Sequence, residues 1–255
     1  MMISAIKYLL TSWLLLSMTI DVVQAQSEEP LSTDRPGEGT DAASVVGAST
    51  FQLEMGIFRE WDQQGNYSSL QYPTALLRYG VLDKMEIRIA SGLFTSQTKR
   101  GAGWSPVDVS AKVTLIDQPQ GWLPQAALLV GLTLPKTGSS SEQSRFTQPR
   151  IVLLLNHTLA SWLGITTNLG AHWEDDSPET IYRYALSFDV SVSDRVGAFA
   201  EFYGDLPEAS RNAHLFNAGL IYLINYNLQL DMAAGTALTE RAPDFYVGGG
   251  LSVRW

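Results

Sequence analysis

From Thr50 onward, apolar and polar residues alternate with a period of two, and ionised side chains belong to the polar set. Met85, Ile87 and Ile89 alternate with Glu86 and Arg88. Val107, Val109, Ala111, Val113 and Leu115 alternate with Asp108, Ser110, Lys112 and Thr114, and Leu228, Leu230, Met232 and Ala234 oppose Gln229 and Asp231. A strand sends successive side chains to opposite faces, so each segment is a ribbon with one apolar and one charged face. The charged face cannot be the buried layer of a two-sheet sandwich without a heavy desolvation cost. One face must meet an apolar medium while the other stays wet. A closed barrel is the only sheet that spans lipid with every backbone group paired.

Turn signals divide this region into about twelve strands, an even number as single-chain bacterial barrels have. The expected spans are 50–61, 69–79, 85–94, 106–116, 125–135, 148–158, 163–173, 180–192, 196–204, 214–223, 228–237 and 244–255. Tight connections at 80–84, 159–162, 193–195 and 224–227 alternate with longer polar ones at 62–68, 95–105, 136–147 and 205–213. Segment 117–124 is a longer turn on the short side. Short turns at one end and long loops at the other are the asymmetry of an outer-membrane barrel. The closing segment carries Phe245, Val247, Leu251, Val253 and Trp255 on one face, a pattern with a terminal aromatic that serves as a signal to the barrel-assembly machinery. A soluble lipocalin-like barrel would turn the apolar face inward and typically has eight strands. The strand number, the scarcity of Lys and Arg, and aromatics near strand ends (Tyr79, Phe94, Trp162, Trp173, Tyr182, Tyr222, Trp255) favour apolar faces turned to lipid, with these rings as interfacial girdles. The expected fold class is all-β: a transmembrane antiparallel up-and-down barrel.

The first 25 residues read as a signal peptide for export to the outer membrane: Lys7 precedes an apolar run to Met18, and Val23-Gln24-Ala25 suits cleavage before Gln26. Residues 26–49, acidic and rich in Gly, Ser and Thr, form a flexible or plug-like segment on the periplasmic side, and 50–255 form the barrel. A net charge of -9 argues against nucleic acid as a partner. With no cysteine, the chain has neither a disulfide framework nor a thiolate metal site.

If lipid meets the apolar face, the polar face lines the lumen. Its acids are Glu54, Glu86, Asp108, Asp189, Glu201 and Asp231, and its bases are Arg78, Arg88, Lys112, Arg150, Arg183 and Arg254. The signs balance, which predicts weak ion selectivity. A hairpin centred on Leu82 would set Arg78 directly opposite Glu86, a favourable cross-strand pair. These residues either form a charge network that closes a narrow barrel or line a polar solute path.

Other motifs carry less. Gly37-Glu-Gly-Thr-Asp-Ala42 spells part of a dinucleotide fingerprint but neither follows a strand nor opens a helix. Glu174-Asp175-Asp176 with Glu179 could hold a hard cation, though a solvated loop accounts for it better. His157, His172 and His214 lie on different strands without metal-ligand spacing, and no Gly-x-Ser-x-Gly elbow accompanies His172. No metal, cofactor or catalytic residue is assigned, and an enzyme is not expected.

Thr33-Asp34-Arg35-Pro36, Gln52-Leu-Glu54-Met-Gly56, Arg78-Tyr-Gly80-Val-Leu-Asp83 and Glu86-Ile-Arg88 occur in order with Asn168-Leu-Gly170, Phe199-Ala-Glu201-Phe-Tyr203 and Leu228-Gln-Leu-Asp231. Together, from Thr33 to Trp255, they resemble the outer-membrane barrels labelled as transporters of the MetA pathway of phenol degradation. The chain departs from that pattern at Gly37 and Gly39, where an acidic or aromatic residue is expected after the proline. The resemblance implies a barrel that passes small molecules, aromatic ones among them, and brings no catalytic residues. The expected function is a passive channel or transporter facing outer-membrane lipid. The rivals are a structural or adhesion barrel closed by charge pairs and, less favoured, a membrane-embedded hydrolase.

Overall fold

The computed structural model describes residues 29–34, 39–62, 67–96, 101–117, 122–140, 142–174, 179–240 and 242–255. The expected signal peptide, Arg35–Glu38 and Asp175-Asp176 lie outside them. The described strands are β1 (Phe51–Asp62), β2 (Tyr67–Leu82), β3 (Met85–Ser96), β4 (Gly101–Trp104), β5 (Asp108–Ile116), β6 (Gln125–Thr133), β7 (Gln148–Ala160), β8 (Leu163–His172), β9 (Ile181–Ser191), β10 (Val196–Pro207), β11 (Ala213–Asn225), β12 (Leu228–Ala237) and β13 (Phe245–Arg254).

Neighbouring strands pair antiparallel, and β1 pairs with both β2 and β13, so the sheet closes on itself. The short β4 and the longer β5 both lie along β3: Leu93 faces Trp104, and Met85 faces Val113. They share one position in the wall, interrupted at Ser105-Pro106-Val107, where Pro106 has no N–H for the ladder. The thirteen strands therefore make a barrel of twelve positions. Phe51 and Trp255 exchange two backbone hydrogen bonds at 2.9 Å, sealing the first strand to the last beside the short turns.

The apolar faces point outward. On β12, Leu230, Met232, Ala234 and Thr236 are exposed while Gln229, Asp231, Ala233 and Gly235 between them are buried. On β3, Ile89 is 50% exposed and its neighbour Arg88 is 4% exposed. The arrangement fits a protein surrounded by hydrocarbon with polar groups inside. Tyr182, Tyr222 and Trp255 are exposed on the outer surface, as an aromatic girdle requires. Two expected girdle residues do otherwise: Phe94 is buried on the inward face of β3, and Trp173 lines a cavity inside the barrel.

The β2–β3 register corrects another expectation. Arg78 faces Arg88 and Gly80 faces Glu86, because the turn is Asp83-Lys84 and the ladder shifts between Gly80 and Leu82. Side-chain length restores the charge pair: Arg78 Nε and Nη2 still reach Glu86 at 3.0 and 2.9 Å. On β6 and β7 the inward face is itself apolar. Ala127, Leu129 and Leu154 are buried against Ala43, with Val152 packed beside them.

Residues 31–34 and 39–46 lie inside the barrel, and 47–49 join them to the wall. The segment meets the wall at Gly80, where Ala48 forms an isolated parallel bridge and Ser49 N–H donates to the Gly80 carbonyl at 2.8 Å. A Cβ at Gly80 would fall on the Gly47 carbonyl, so only glycine lets the two backbones approach this closely. Gly80→Ala is expected to cost about 1–3 kcal/mol by overpacking. The check is the thermal transition of the detergent-solubilised barrel on gels: the variant should unfold at lower temperature, and an unchanged transition would contradict the contact.

Candidate functional site

The inner wall of β1, β2, β3 and β5 presents Glu54, Arg78, Glu86, Arg88 and Lys112, all 4% exposed or less. Arg78 Nη1 pairs with Glu54 at 2.9 Å, and its Nη2 pairs with Glu86. Three cations thus face two wall carboxylates, and Asp34 of the internal segment supplies the third. Its Oδ2 lies 3.3 Å from Arg78 and 3.4 Å from Arg88 and is hydrogen-bonded by Lys112 Nζ. The same carboxylate caps its own chain, accepting from Ala42 N–H at 2.6 Å.

Backbone groups of the segment complete the arrangement, because a buried peptide must find partners for its N–H and C=O groups. Asp34 N–H donates to Glu54 at 2.8 Å and Val46 N–H to Glu86 at 2.7 Å. Lys112 donates to the carbonyls of Ala42 and Ser44, Arg78 to Ser32 and Ser44, and Gln52 to Ser32. Farther round the wall, Ala43 N–H donates to Asn156 Oδ1 at 2.7 Å. The Asn168 amide, oriented to satisfy both its atoms, accepts from Asp41 N–H at 2.7 Å and donates to the Asp41 carbonyl at 3.0 Å. Gln229 donates to Thr33 at 3.2 Å.

Glu201 on β10 binds the segment from the opposite side, accepting from Gly39 N–H at 3.1 Å and from the Thr40 hydroxyl. A Cβ at Gly39 would press into the ring of Tyr203, which explains the glycine at a position where the family resemblance led us to expect a larger residue. Tyr203 in turn shares a 2.7 Å hydrogen bond with Tyr246, whose ring packs on Phe58.

The remaining expected lumen residues sit elsewhere. Arg150 is paired with Asp108, and Arg183 grips Asp205 through two bonds of 2.8 Å. Asp189 accepts from Thr166 at 2.8 Å and Ser187 at 2.7 Å, and Asp231 is buried on β12. Arg254 holds the short-turn end together, donating to Asn227, to the Tyr226 carbonyl and to the Glu29 carbonyl. The charges of the lumen are therefore segregated rather than evenly mixed. The cations of β2, β3 and β5 are occupied by the segment, while Asp189 and Glu201 face a different part of the interior. Phe245, Val247, Leu251, Val253 and Trp255 share the outer face of the closing strand; Phe245, Val247 and Trp255 are exposed.

One cavity of about 460 Å³ lies between the segment and the β1–β2 wall, lined by Ser32, Val45, Gly47, Gln52, Arg78 and Arg254, and two others flank the stretch 39–42. One, about 730 Å³, is lined by Thr40, Ala42, Thr166, Asp189, Phe199, Glu201 and residues of the short turns at 161–162 and 193–195. The other, about 310 Å³, is lined by Gly39, Asp41, Arg150, Asn168, His172, Trp173 and Arg183 towards the long loops. Alternate residues of the stretch 39–42 thus face opposite chambers. Among the described residues no three His, Asp or Glu side chains converge as metal ligands. Glu179 accepts from the N–H groups of Ala209 and Ser210, and His214 meets the Tyr184 hydroxyl at 2.9 Å.

This is an all-β outer-membrane barrel whose N-terminal segment runs inside it. The chain belongs to the family described as "Putative MetA-pathway of phenol degradation", which matches residues 33–255. No curated protein matches the sequence. The fold is similar to an outer-membrane channel from Pseudomonas putida F1, with a TM-score of 0.63 at 12% identity, covering 86% of this chain and 99% of that one. It is also similar to the KdgM porin in complex with disordered oligogalacturonate (TM-score 0.56, 10% identity, 80% and 98% covered) and to the NanC porin (0.55, 10%, 78% and 98%).

Sequence reasoning identified the wall charges but not Asp34, their shared partner. The signal was Thr33-Asp34 standing in order with the strand motifs, each of which contributes a residue that touches the internal segment.

Removing one member of a buried ionic group leaves the others uncompensated, typically at about 3–5 kcal/mol. Asp34→Asn should therefore weaken docking by that order and make residues 29–49 accessible to protease. Arg183→Ala, at a half-exposed pair, should cost about 0–1 kcal/mol and leave the segment protected. Equal protection in both variants would contradict this assignment.

Burial alone would raise the Asp34 carboxyl, but Arg78, Lys112 and Arg88 outweigh it and hold the group below the usual carboxylate range. A depressed carboxylate contributes stability that is fully present above its free value of about 4 and is lost as pH falls through its bound value. The segment should stay docked on acidification through about pH 4 and release only in stronger acid. Pepsin cleavage followed across the acid range checks this, and release already near neutrality would refute it.

Proposed function

We propose that the protein is a passive outer-membrane channel for small solutes, with its bore set by its own N-terminal segment. The observation that carries this reading is the pair of chambers, one at each end of the barrel, meeting across the stretch 39–42. A barrel serving only as a scaffold has no need of polar chambers at both mouths. The channel and porin barrels of similar fold support the same reading. Diffusion down a gradient needs only a wet path wide enough for the solute and sites weak enough to release it. Aromatic molecules enter as candidate solutes through the family description alone.

The segment then has a defined job. Its ionic attachment holds it against β1–β5, while about 730 Å³ stays open on the side of β7–β10. Export by the leader, and recognition of the closing strand by the assembly machinery through Phe245, Val247, Leu251, Val253 and Trp255, would bring the barrel to the outer membrane. The hydrolase alternative depends on His172, whose acidic neighbour, Glu174, stands 3.9 Å away. Within this reading no step needs His172 as a base.

Planar-bilayer recording of the purified protein tests the proposal. The wild type should give small discrete conductance steps, and Asp34→Asn should enlarge them several-fold as the segment loosens. Silence in both would sink the channel reading and favour a closed structural barrel. Turnover of a chromogenic ester abolished by His172→Ala would favour the hydrolase.

A further inference from the structure

We propose that Glu201 is both the latch and the charge-selecting residue of the solute path, a conclusion that rests on the channel reading above. Glu201 is 2% exposed and holds the partition between the chambers through Gly39 N–H and the Thr40 hydroxyl. Its remaining bond in the wall is from Asn217 Nδ2 at 2.8 Å. The partition is thus tied on one side by Glu201 and on the other by Asn168, through the Asp41 backbone. Asp34, in the ionic cluster of β1–β5, accepts from Ala42 N–H, Lys112 holds the Ala42 carbonyl, and Arg88 lies 3.5 Å from the Asp41 carboxylate, so the 41–42 end of the partition is fixed to that cluster. A short movement of Gly39 and Thr40, the two residues that Glu201 holds, opens the path without undocking the rest.

That movement also changes what a solute meets. With Gly39 and Thr40 withdrawn, the Glu201 carboxylate keeps only its Asn217 donor and faces the passage. Asp189 lines the same chamber, and its donors are the hydroxyls of Thr166 and Ser187. Among the described residues, neither carboxylate is paired with a cation. Arg78, Arg88 and Lys112, the strongest source of positive charge in the interior, are buried against Asp34, Glu54 and Glu86 and stay there. The other cations lining the chambers are paired or remote: Arg150 and Arg183 hold Asp108 and Asp205, and Arg195 stands exposed at the short turn beside Asp194. At the partition the fixed charge is negative, and a constriction of one sign raises the local concentration of the opposite sign. The open path therefore prefers cationic solutes to anionic ones, in contrast to the weak selectivity that an evenly mixed lumen would give.

Reversal potentials in a potassium chloride gradient test the charge role. Wild type and Asn168→Ala should both favour potassium, and Asn168→Ala should conduct more often because one tie is cut while Glu201 is intact. Glu201→Gln, which keeps the shape and removes the charge, should lower the cation preference several-fold. Anion preference in the wild type, or a reversal potential indifferent to Glu201→Gln, would overturn the inference while leaving the channel reading standing. Silence in all of these and in Asp34→Asn would remove the channel reading itself.

The latch role has a readout independent of conductance. The sequence contains no cysteine, so Ala42→Cys gives a single thiol on the far side of the partition from the long loops. In intact cells a membrane-impermeant maleimide should label it slowly, and several-fold faster when Glu201→Ala or Asn168→Ala is added. Equal labelling with and without these changes would show that residues 39–42 do not divide the chambers.

Discussion

A buried carboxylate surrounded by Arg78, Arg88 and Lys112 fixes the architecture of this lumen. Three cations stacked on neighbouring strands would repel one another across a low-dielectric interior if only Glu54 and Glu86 answered them. Asp34 supplies the missing charge, and it belongs to the segment rather than to the wall. The barrel interior is therefore electrostatically complete only with that segment inside. Such buried ionic groups contribute little net stability compared with apolar packing. What this one provides is position: it defines which residue of a glycine- and serine-rich segment lies against which part of the wall.

The consequences spread outward from that contact. Once Asp34 is placed, Ala43 reaches the apolar patch of Ala127, Leu129 and Leu154, and the backbone groups of Asp41, Ala43 and Val46 find Asn168, Asn156 and Glu86. Gly80 lets the chain cross from the lumen into β1. The segment's ionic contacts lie on β1–β5, and about 730 Å³ stays open on the side of β7–β10. In the proposed channel, closure and permeation are two results of one asymmetric placement, not competing designs.

The outer surface was legible in the sequence because lipid imposes a rule on every outward side chain, and β3, β5 and β12 obey it without exception over several residues. The interior was less so. Strands β6 and β7 show no clean alternation, since Leu129, Val152 and Leu154 face inward yet remain apolar; they meet Ala43, not water. Phe94 misled for a related reason, because an aromatic near a strand end looks alike from either face. Asp34 could not be paired in advance, since its cationic partners lie from 44 residues (Arg78) to 78 residues (Lys112) along the chain and depend on how the segment threads the barrel. The hairpin between Arg78 and Glu86 failed by a one-position turn shift, yet the long guanidinium absorbed the error. A charge pair between long side chains tolerates register mistakes that a backbone ladder does not.

The central claim is that residues 31–34 and 39–46 reside in the lumen, held there through Asp34. Pulsed electron spin resonance between labels at Val45→Cys in the segment and Met232→Cys on the outer face of β12 tests it most directly. A single narrow distance, shorter than the barrel diameter and broadened by Asp34→Asn, is the predicted result. A broad distribution extending beyond the barrel in the otherwise unaltered protein would contradict it.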